Sequence, residues 1–569
     1  MKNKFSNILT ILLLSVVSLH AQIKSKVWYD GNARVMYDRD VLTGSNLDLT
    51  DTVSTRSNGK GFSKIDLGIH FNPIKDIEIS SSIRLQNDFG GMWGNKNSVT
   101  LRSLSAKGVI NNIRFGVGDL FLKQSKYTLY NYSQELLRYE PNVFNFYKEY
   151  VNYENHYMKN YWRLQGIQTN FSYNMYSFLE QIDVDAFSSR IRGSQWLGDP
   201  ELLMFGSTVL IRLNDKFKIG SHYINTFEIK STSNTDVAYY NPVLTAKVIY
   251  SDKLFEKYPF NFTFEAGKSK RGWEGDGFSP ETKGTFFSSL FKSKINNSSI
   301  SFAFKYVDTD FRSIGAQTRR LQYLSSPTSY PFYSNNYTQR TISLLDIMTD
   351  PYVYNQKLST SLMDYNPMYS AVLPYGDATP NRIGPQINVE NISITDYLTV
   401  NFNAKYFTEV IGQGTTKKRD FYNGAFSTKF LVNKMFDMSM PIVFEASILS
   451  ENVQRAGSSI EKISFKNNLI GGGLSIGIYD NLNIICGAKI FTAKGNEYLI
   501  ERNSYDQIID YNSISYDSEE TILIGGLQYF LDNDMYITMQ YNHFNVLDKN
   551  NLEDEFSMGR LIFMFNMNL

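Results

Sequence analysis

The sequence predicts an all-β chain: a single large antiparallel transmembrane β-barrel of about 22 strands, within a range of 18–22, carrying one long, partly helical loop that stands outside or folds inward. Three observations predict it. Hydrophobicity alternates with period two over segments of roughly 9–12 residues. Large aromatics crowd the ends of the apolar face. Tight polar turns recur about every 40 residues, the length of two spanning strands, one turn and one loop.

The alternation is plain in Ile77-Glu78-Ile79-Ser80-Ser81-Ser82-Ile83-Arg84-Leu85-Gln86, where apolar and polar residues take opposite faces of a strand. Phe260, Phe262, Phe264 and Ala266 are opposed by Asn261, Thr263 and Glu265. Ile300, Phe302, Phe304 and Tyr306 are opposed by Ser299, Ser301 and Lys305, and Val400, Phe402, Ala404 and Tyr406 by Asn401, Asn403 and Lys405. Such segments exceed the five or six residues usual in soluble sandwiches. Composition agrees: 15% of residues are aromatic, with 39 Tyr and 40 Phe, because apolar side chains are needed only on the lipid face. After residue 21 no apolar run reaches half the ~20 residues of a spanning helix, which excludes a helical inner-membrane protein.

The turns set the count. Short polar connections fall at Asn72 to Asp76, Asn111-Asn112, Asn174 to Ser177, Asn214 to Lys216, Ser251 to Pro259, Asn296-Asn297, Thr395-Asp396, Asn433 to Asp437, Asp480-Asn481 and Asp532 to Asp534. Asn and Asp suit them because they tolerate left-handed dihedrals and cap their own backbone. Ten hairpins, a first strand near Val27 to Tyr37 and a last at Arg560 to Leu569 make 22. The sheet must close, since an unpaired amide in hydrocarbon costs several kcal/mol. Tight turns are expected on the periplasmic side and long loops outside.

Residues 1–21 read as a cleaved signal peptide: Lys2 and Lys4, an apolar run from Ile8 to Leu19, and Leu19-His20-Ala21 before Gln22. Residues 22–569 then form the barrel. At the other end Leu561, Phe563, Phe565, Met567 and Leu569 line one face. This resembles the C-terminal strand signal read by the barrel-assembly machinery, with Leu569 in place of the usual aromatic. The Ala21-Gln22 site, the Asn/Tyr/Phe/Lys-rich composition and this alternation together resemble outer-membrane barrels of Bacteroidota type, a broad class. The resemblance implies location in the cell outer membrane, with outer-membrane lipid and lipopolysaccharide around the wall.

Two intervals break the spacing. One adds about 25 residues between Lys123 and Tyr161 and contains Glu135-Leu136-Leu137. The other, residues 309–385, adds about 60 and holds seven of the 14 prolines, which marks it as outside the ladder. Leu344, Leu345, Ile347 and Met348, then Leu358, Leu362 and Met363, permit two short helices. Three roles fit this segment: a constriction of the lumen, an external cap or partner-binding surface, or a shield for the rim. A ~22-stranded barrel without a plug domain favours some occlusion. Arg312, Arg319, Arg320, Asp377 and Arg382, with Asp346, are the candidate constriction residues, and Glu78, Arg84, Glu265, Lys305, Lys405 and Arg560 the candidate lumen-lining ones.

Other chemistry is scarce. Only His70, His156, His222 and His543 follow residue 21, and no HExxH, GxSxG or ligand cluster is present, so no catalytic, metal or cofactor site is assigned. Cys486 is alone and lies in an apolar strand. Gly412 to Lys418 joins two strands, the wrong context for a phosphate loop. Gly471-Gly472-Gly473 fits a close approach, and Glu274-Gly275-Asp276-Gly277 a solvated turn or a surface cation site. Net charge is +1, so nucleic acid is not an expected partner. Two non-enzymatic functions fit: a porin-like or gated channel for small polar solutes, and a scaffold or accessory barrel for secretion, assembly or surface display, with protein partners at the tyrosine-rich loops.

Overall fold

The computed structural model describes residues 26–43, 57–89, 97–130, 138–156, 158, 161–175, 179–194, 200–229, 237–275, 279–321, 329–332, 336–339, 342–355, 358–532, 534–550 and 555–569. The expected leader (1–21), Glu135-Leu136-Leu137 and the Asp276-Gly277 tip lie outside them.

Among the described residues, 22 strands form one antiparallel sheet that closes on itself. The first strand, Lys26–Thr43, pairs with its sequence neighbour Ser57–Ile74 and with the last strand, Phe556–Asn568, in a register from Asn32 opposite Asn568 to Thr43 opposite Ser557. Closure leaves no edge of unpaired amides, as lipid demands. The strands run from 8 residues (Ile113–Leu120) to 25 (Ile508–Asp532), so the longest rise well past the bilayer.

Among the described residues, ten pairs of successive strands have their near ends at one end of the barrel, all where Asn- and Asp-rich turns are read in the sequence. Asn111 and Asn296 adopt φ of 55° and 52°, the left-handed region that Asn tolerates better than most non-glycine residues. The 431–442 connection carries a one-turn helix, Val432–Met435. Outward faces are apolar: Phe262, Phe264, Phe402, Phe426, Phe444 and Phe563 are all exposed, a continuous lipid-facing band. Tyr29, Tyr173, Phe217, Phe255, Phe436 and Tyr479 ring the short-turn rim as an aromatic girdle. Cys486 points outward with them.

The inner face departs from a uniformly polar lining. Phe407, Phe421, Phe465, Phe491, Ile522 and Phe544 are buried inside the barrel. They pack against Phe144, Leu344, Leu345, Ile347, Val353 and Tyr369, which belong to two segments that leave the long-loop end and fold inward. Apolar loop surface inside the barrel requires apolar wall opposite it, each side chain contributing about 1.5–3 kcal/mol by burial. A polar lumen face would leave both sides unsatisfied.

The first inward segment, 121–163, leaves the wall early because the strand before it has only 8 residues. It contains a 3-10 turn, Asn142–Phe144, and helix α1, Asn145–Glu154, which the sequence does not announce. Helix α1 has no side-chain N-cap and is rich in Tyr and Asn, so tertiary contacts must hold it. Phe146, Tyr147 and Val151 are buried. The second segment, 308–381, supplies helix α2, Leu344–Thr349, which a capping box between Ser343 and Asp346 starts. Glu520 on the wall accepts the Leu344 N–H at 2.7 Å. A second helix at Leu358 to Met363 does not form; Ser359 and Ser361 bond to each other in an irregular turn there. Serine competes with helix by such local bonds.

Glycines let loop and wall approach. Gly473 and Gly487 face each other across two strands. A Cβ on Gly473 would lie 2.7 Å from Val143, and one on Gly487 2.9 Å from Val143 and 3.0 Å from Phe144. The pair is the seat on which the 3-10 turn rests.

Candidate functional site: a lumen filled by two loops

The first inward segment is held by charge. Arg34, Lys64, Arg84 and Arg102 stand on the inner faces of the first four strands. Glu154, the last residue of α1, inserts among them: 2.7 Å from Arg84, 3.2 Å from Lys64 and 4.0 Å from Arg34. Arg84 also grips both oxygens of Asp66 at 2.7 Å, and Asp66 accepts the Tyr153 hydroxyl at 2.6 Å. Burial works to raise the Glu154 carboxyl, but the hydrogen bond from Arg84 and the fields of Lys64, Arg84 and Arg102 prevail and hold it below its ordinary range. Four cations thus face two carboxylates, so losing either anion leaves buried charge uncompensated. The next residue but one, His156, has its imidazole pushed down to about 3 by burial and by Arg102, Arg163 and Arg84.

The second segment is pinned at several heights. Asp377 sits between Lys305 on the wall, at 2.9 Å, and Lys126 of the first segment, at 2.5 Å. Against the effect of burial, these two ammonium groups hold its carboxyl far below the usual range. Arg312 donates to Asp506 at 2.8 Å, the tip residue of the hairpin Leu482–Arg502/Ile508–Asp532, which reaches over the lumen. Arg271 also pairs with that carboxylate. Glu451 accepts the Ala371 amide at 2.9 Å, and Asn467 donates to the Met368 carbonyl at 2.8 Å. Arg560 is bidentate to Asp40 at 2.6 and 2.9 Å and reaches Thr349 of α2.

The residues singled out from sequence take these places. Glu78, Arg84, Glu265, Lys305, Lys405 and Arg560 all lie on the inward parity of their strands, opposite the exposed Leu85, Phe264, Phe302, Phe402, Tyr406 and Leu561. Glu78 bonds His70 and Ser80 near the short-turn end. The long loop meets one of these wall charges with an opposite charge, Asp377 against Lys305, whereas Arg84 is met by Glu154 of the first segment. Arg319 donates to the Tyr369 carbonyl at 2.8 Å, Arg320 stacks on Trp162 with 4.4 Å to the ring centre, and Arg382 stacks on Phe421 at 3.5 Å. Asp346 is taken up by capping α2. The Phe311-to-Ala316 stretch is buried and packs against Thr128 and Tyr130 of the first segment, which makes it an inter-loop joint.

Sequence reasoning missed Glu154, Asp66 and Arg34, and the buried group in which Arg419 bridges Glu409 (2.7 Å) and Glu497 (3.0 Å). Arg34 and Asp66 share inward parity with many other strand residues, which sets neither apart. Nothing local marks a loop glutamate as their partner.

The two segments do not fill the lumen to its ends. A cavity of about 750 Å³ lies on the long-loop side, bordered by Tyr365, Tyr375, Arg382, Arg419, Asn503 and Asp548. A second, of about 740 Å³, lies at the short-turn end, roofed by α1 and floored by Asp534 and Asn568 near the mouth. Between them stand α1, α2 and the 366–376 stretch with their apolar contacts. The arrangement offers two separate cavities to solutes, one at each face, with these packed elements between them. Among the described residues, no group of His, Cys, Asp and Glu has the geometry to hold a metal ion.

No family model matches the chain, and no curated protein matches it. Solved structures do align along its whole length. Pseudomonas aeruginosa OccK8 (OprE) is 11% identical, with 96% of this chain and 98% of that one covered and a TM-score of 0.34. OccK2 (OpdF) from the same organism, in complex with glucuronate, is 9% identical over 96% and 97%, with a TM-score of 0.34. P. aeruginosa OpdK with vanillate is 7% identical over 95% and 99%, with a TM-score of 0.33. The barrel here rests on its own strand pairing.

Proposed function

We propose that the chain is a gated outer-membrane channel for small polar solutes, closed in the conformation described. The observation that carries this reading is the pair of cavities at opposite ends of one lumen, separated by two loops that ion pairs and glycine seats hold in place. Loops pinned by a few charged contacts are bistable elements of the kind gates use. In this reading the short-turn end faces the periplasm, residues 1–21 direct export and are cleaved, and the assembly machinery inserts the barrel by its last strand. The Asn/Tyr/Phe/Lys-rich composition supports a Bacteroidota-type outer membrane.

A second reading, a non-enzymatic accessory barrel in a secretion or display complex, is favoured by the apolar seal itself, which a permanently open pore does not need. Single-channel recording in planar bilayers separates them. The channel reading expects rare openings from the full chain and large steady conductance from a variant lacking residues 315–380, with heat-modifiable gel migration confirming that the variant folds. A folded variant with unchanged conductance overturns it. Stoichiometric partners in mild-detergent crosslinking would support the accessory barrel.

A further inference from the structure

The short-turn cavity is chemically unlike the rest of the lumen. Of its 21 lining side chains, eight are amides, and they come from both the wall and the roof: Asn32, Gln528, Gln540 and Asn566 from strands, Asn145 and Asn152 from α1. Its charges are already matched. Lys429 pairs with Glu445 at 3.4 Å. Arg34 lies near Glu154 and stacks on Tyr150 and Tyr153. Glu149 faces Arg34 and shares a hydrogen bond with Tyr536. Asp534 is exposed at the mouth. Apart from Asp534 at the mouth, the lining charges face partners, so no charge inside the cavity selects an ion.

Two of the amides are aimed by the protein. Asn32 donates to Asn566 at 3.0 Å and to Asn568 at 2.8 Å, and Arg34 adds bonds of 3.1 and 3.2 Å to Asn566. That network uses the oxygens of Asn566 and Asn568 as acceptors and leaves their NH2 donors outside it. Gln540 is the decisive residue. It is 0% exposed, lines the cavity, and neither its Oε1 nor its Nε2 has a hydrogen-bond partner in the protein. A buried amide with both ends unsatisfied costs roughly 1–3 kcal/mol, so the fold retains it against its own stability. Phe146, Tyr153, Phe530 and Tyr536 supply aromatic surface beside the amides.

We propose that this cavity is a binding site for a neutral polyhydroxylated solute of mono- to disaccharide size, with Gln540 as its central donor and acceptor. Hydroxyl groups both donate and accept, as amides do, and the apolar C–H faces of a sugar ring lie on aromatic surface. A volume of about 740 Å³ holds one such molecule with its bridging waters. The role of the site, a waiting position below the gate, rests on the channel reading; binding does not, because the cavity opens at the short-turn end without passage through the loops.

The test is calorimetric titration of the purified full-chain barrel with maltose and, separately, gluconate, on the wild type and on Gln540→Leu. Leucine removes an unsatisfied buried amide, so the variant folds at least as well, which heat-modifiable migration checks. Maltose binding to the wild type, about tenfold weaker in Gln540→Leu, supports the proposal. Absence of maltose binding, equal binding by both proteins, or preference for gluconate overturns it, the first outcome meaning that water alone occupies the site. Failure of the channel reading looks different: maltose still binds, while neither the full chain nor the variant lacking residues 315–380 conducts.

Discussion

Replacing Glu154 by Gln should unlatch the first inward segment while leaving the barrel wall intact. The carboxylate lies 2.7–4.0 Å from Arg84, Lys64 and Arg34, with only 9% of its side chain exposed, and shares its four cationic neighbours with one other carboxylate, Asp66. Glutamine keeps the volume and one acceptor but removes the charge, so four buried cations then face a single anion. Breaking a buried pair by removing one partner costs about 3–5 kcal/mol. Against this, Phe146, Tyr147 and Val151 anchor α1 with about 1.5–3 kcal/mol each. The helix therefore stays docked most of the time, but a loss of about 3 kcal/mol raises its undocked fraction more than a hundredfold. Planar-bilayer recording should show opening frequency rising by that order, and hydrogen exchange of residues 145–154 should accelerate while strand amides stay protected. Adding Lys64→Met removes one surplus cation and should recover part of the loss. A Glu154→Gln protein whose opening frequency and α1 exchange stay within twofold of wild type would refute the latch. Because the Glu154 carboxyl is held below its ordinary value near 4.5, its contribution is complete above that pH and is lost only as pH falls through the depressed value.

Gly487→Val should push the 3-10 turn off its seat, since the new Cβ meets Val143, Phe144 and Ile524 at 2.9–3.0 Å; a cost of about 1–3 kcal/mol, read as faster exchange of residues 142–147, is expected. His156, with its imidazole held down to about 3, must stay neutral in the folded loop, so acidification from pH 7 to 5 should loosen α1 as the undocked form gains the proton, and His156→Gln should flatten that dependence of opening frequency. Arg419→Met leaves Glu409 and Glu497 buried and unpaired and should lower the unfolding temperature sharply, whereas a change of less than a degree would mean the three charges are dispensable. Cys486, outward-facing in the lipid band, should react with a lipid-soluble maleimide in proteoliposomes and resist a bulky water-soluble one.

What the sequence determined alone is the wall. Period-two alternation and Asn- or Asp-bearing turns are local properties, and with closure imposed by lipid they give about 22 strands within a range of 18–22, the ten turns and the inward parity of Arg84, Lys305 and Arg560; the closed sheet has 22. The filling of the wall was decided elsewhere. Strands such as Phe556–Asn568 carry apolar residues on both faces, and nothing local says that Ile562 and Met564, opposite the lipid-facing Phe563, meet a packed interior instead of water. Helix α1 has weak intrinsic propensity, so tertiary contacts bring it into being: Glu154 among the wall cations, the buried Phe146, Tyr147 and Val151, and the Gly473–Gly487 seat. Asn32 and Asn152 lie hundreds of residues from Gln540 and Asn566, and the four become one cavity because the last strand pairs with the first. Alternation reads one strand at a time; a lumen is a relation among all of them, and only closure of the barrel around its own loops creates it.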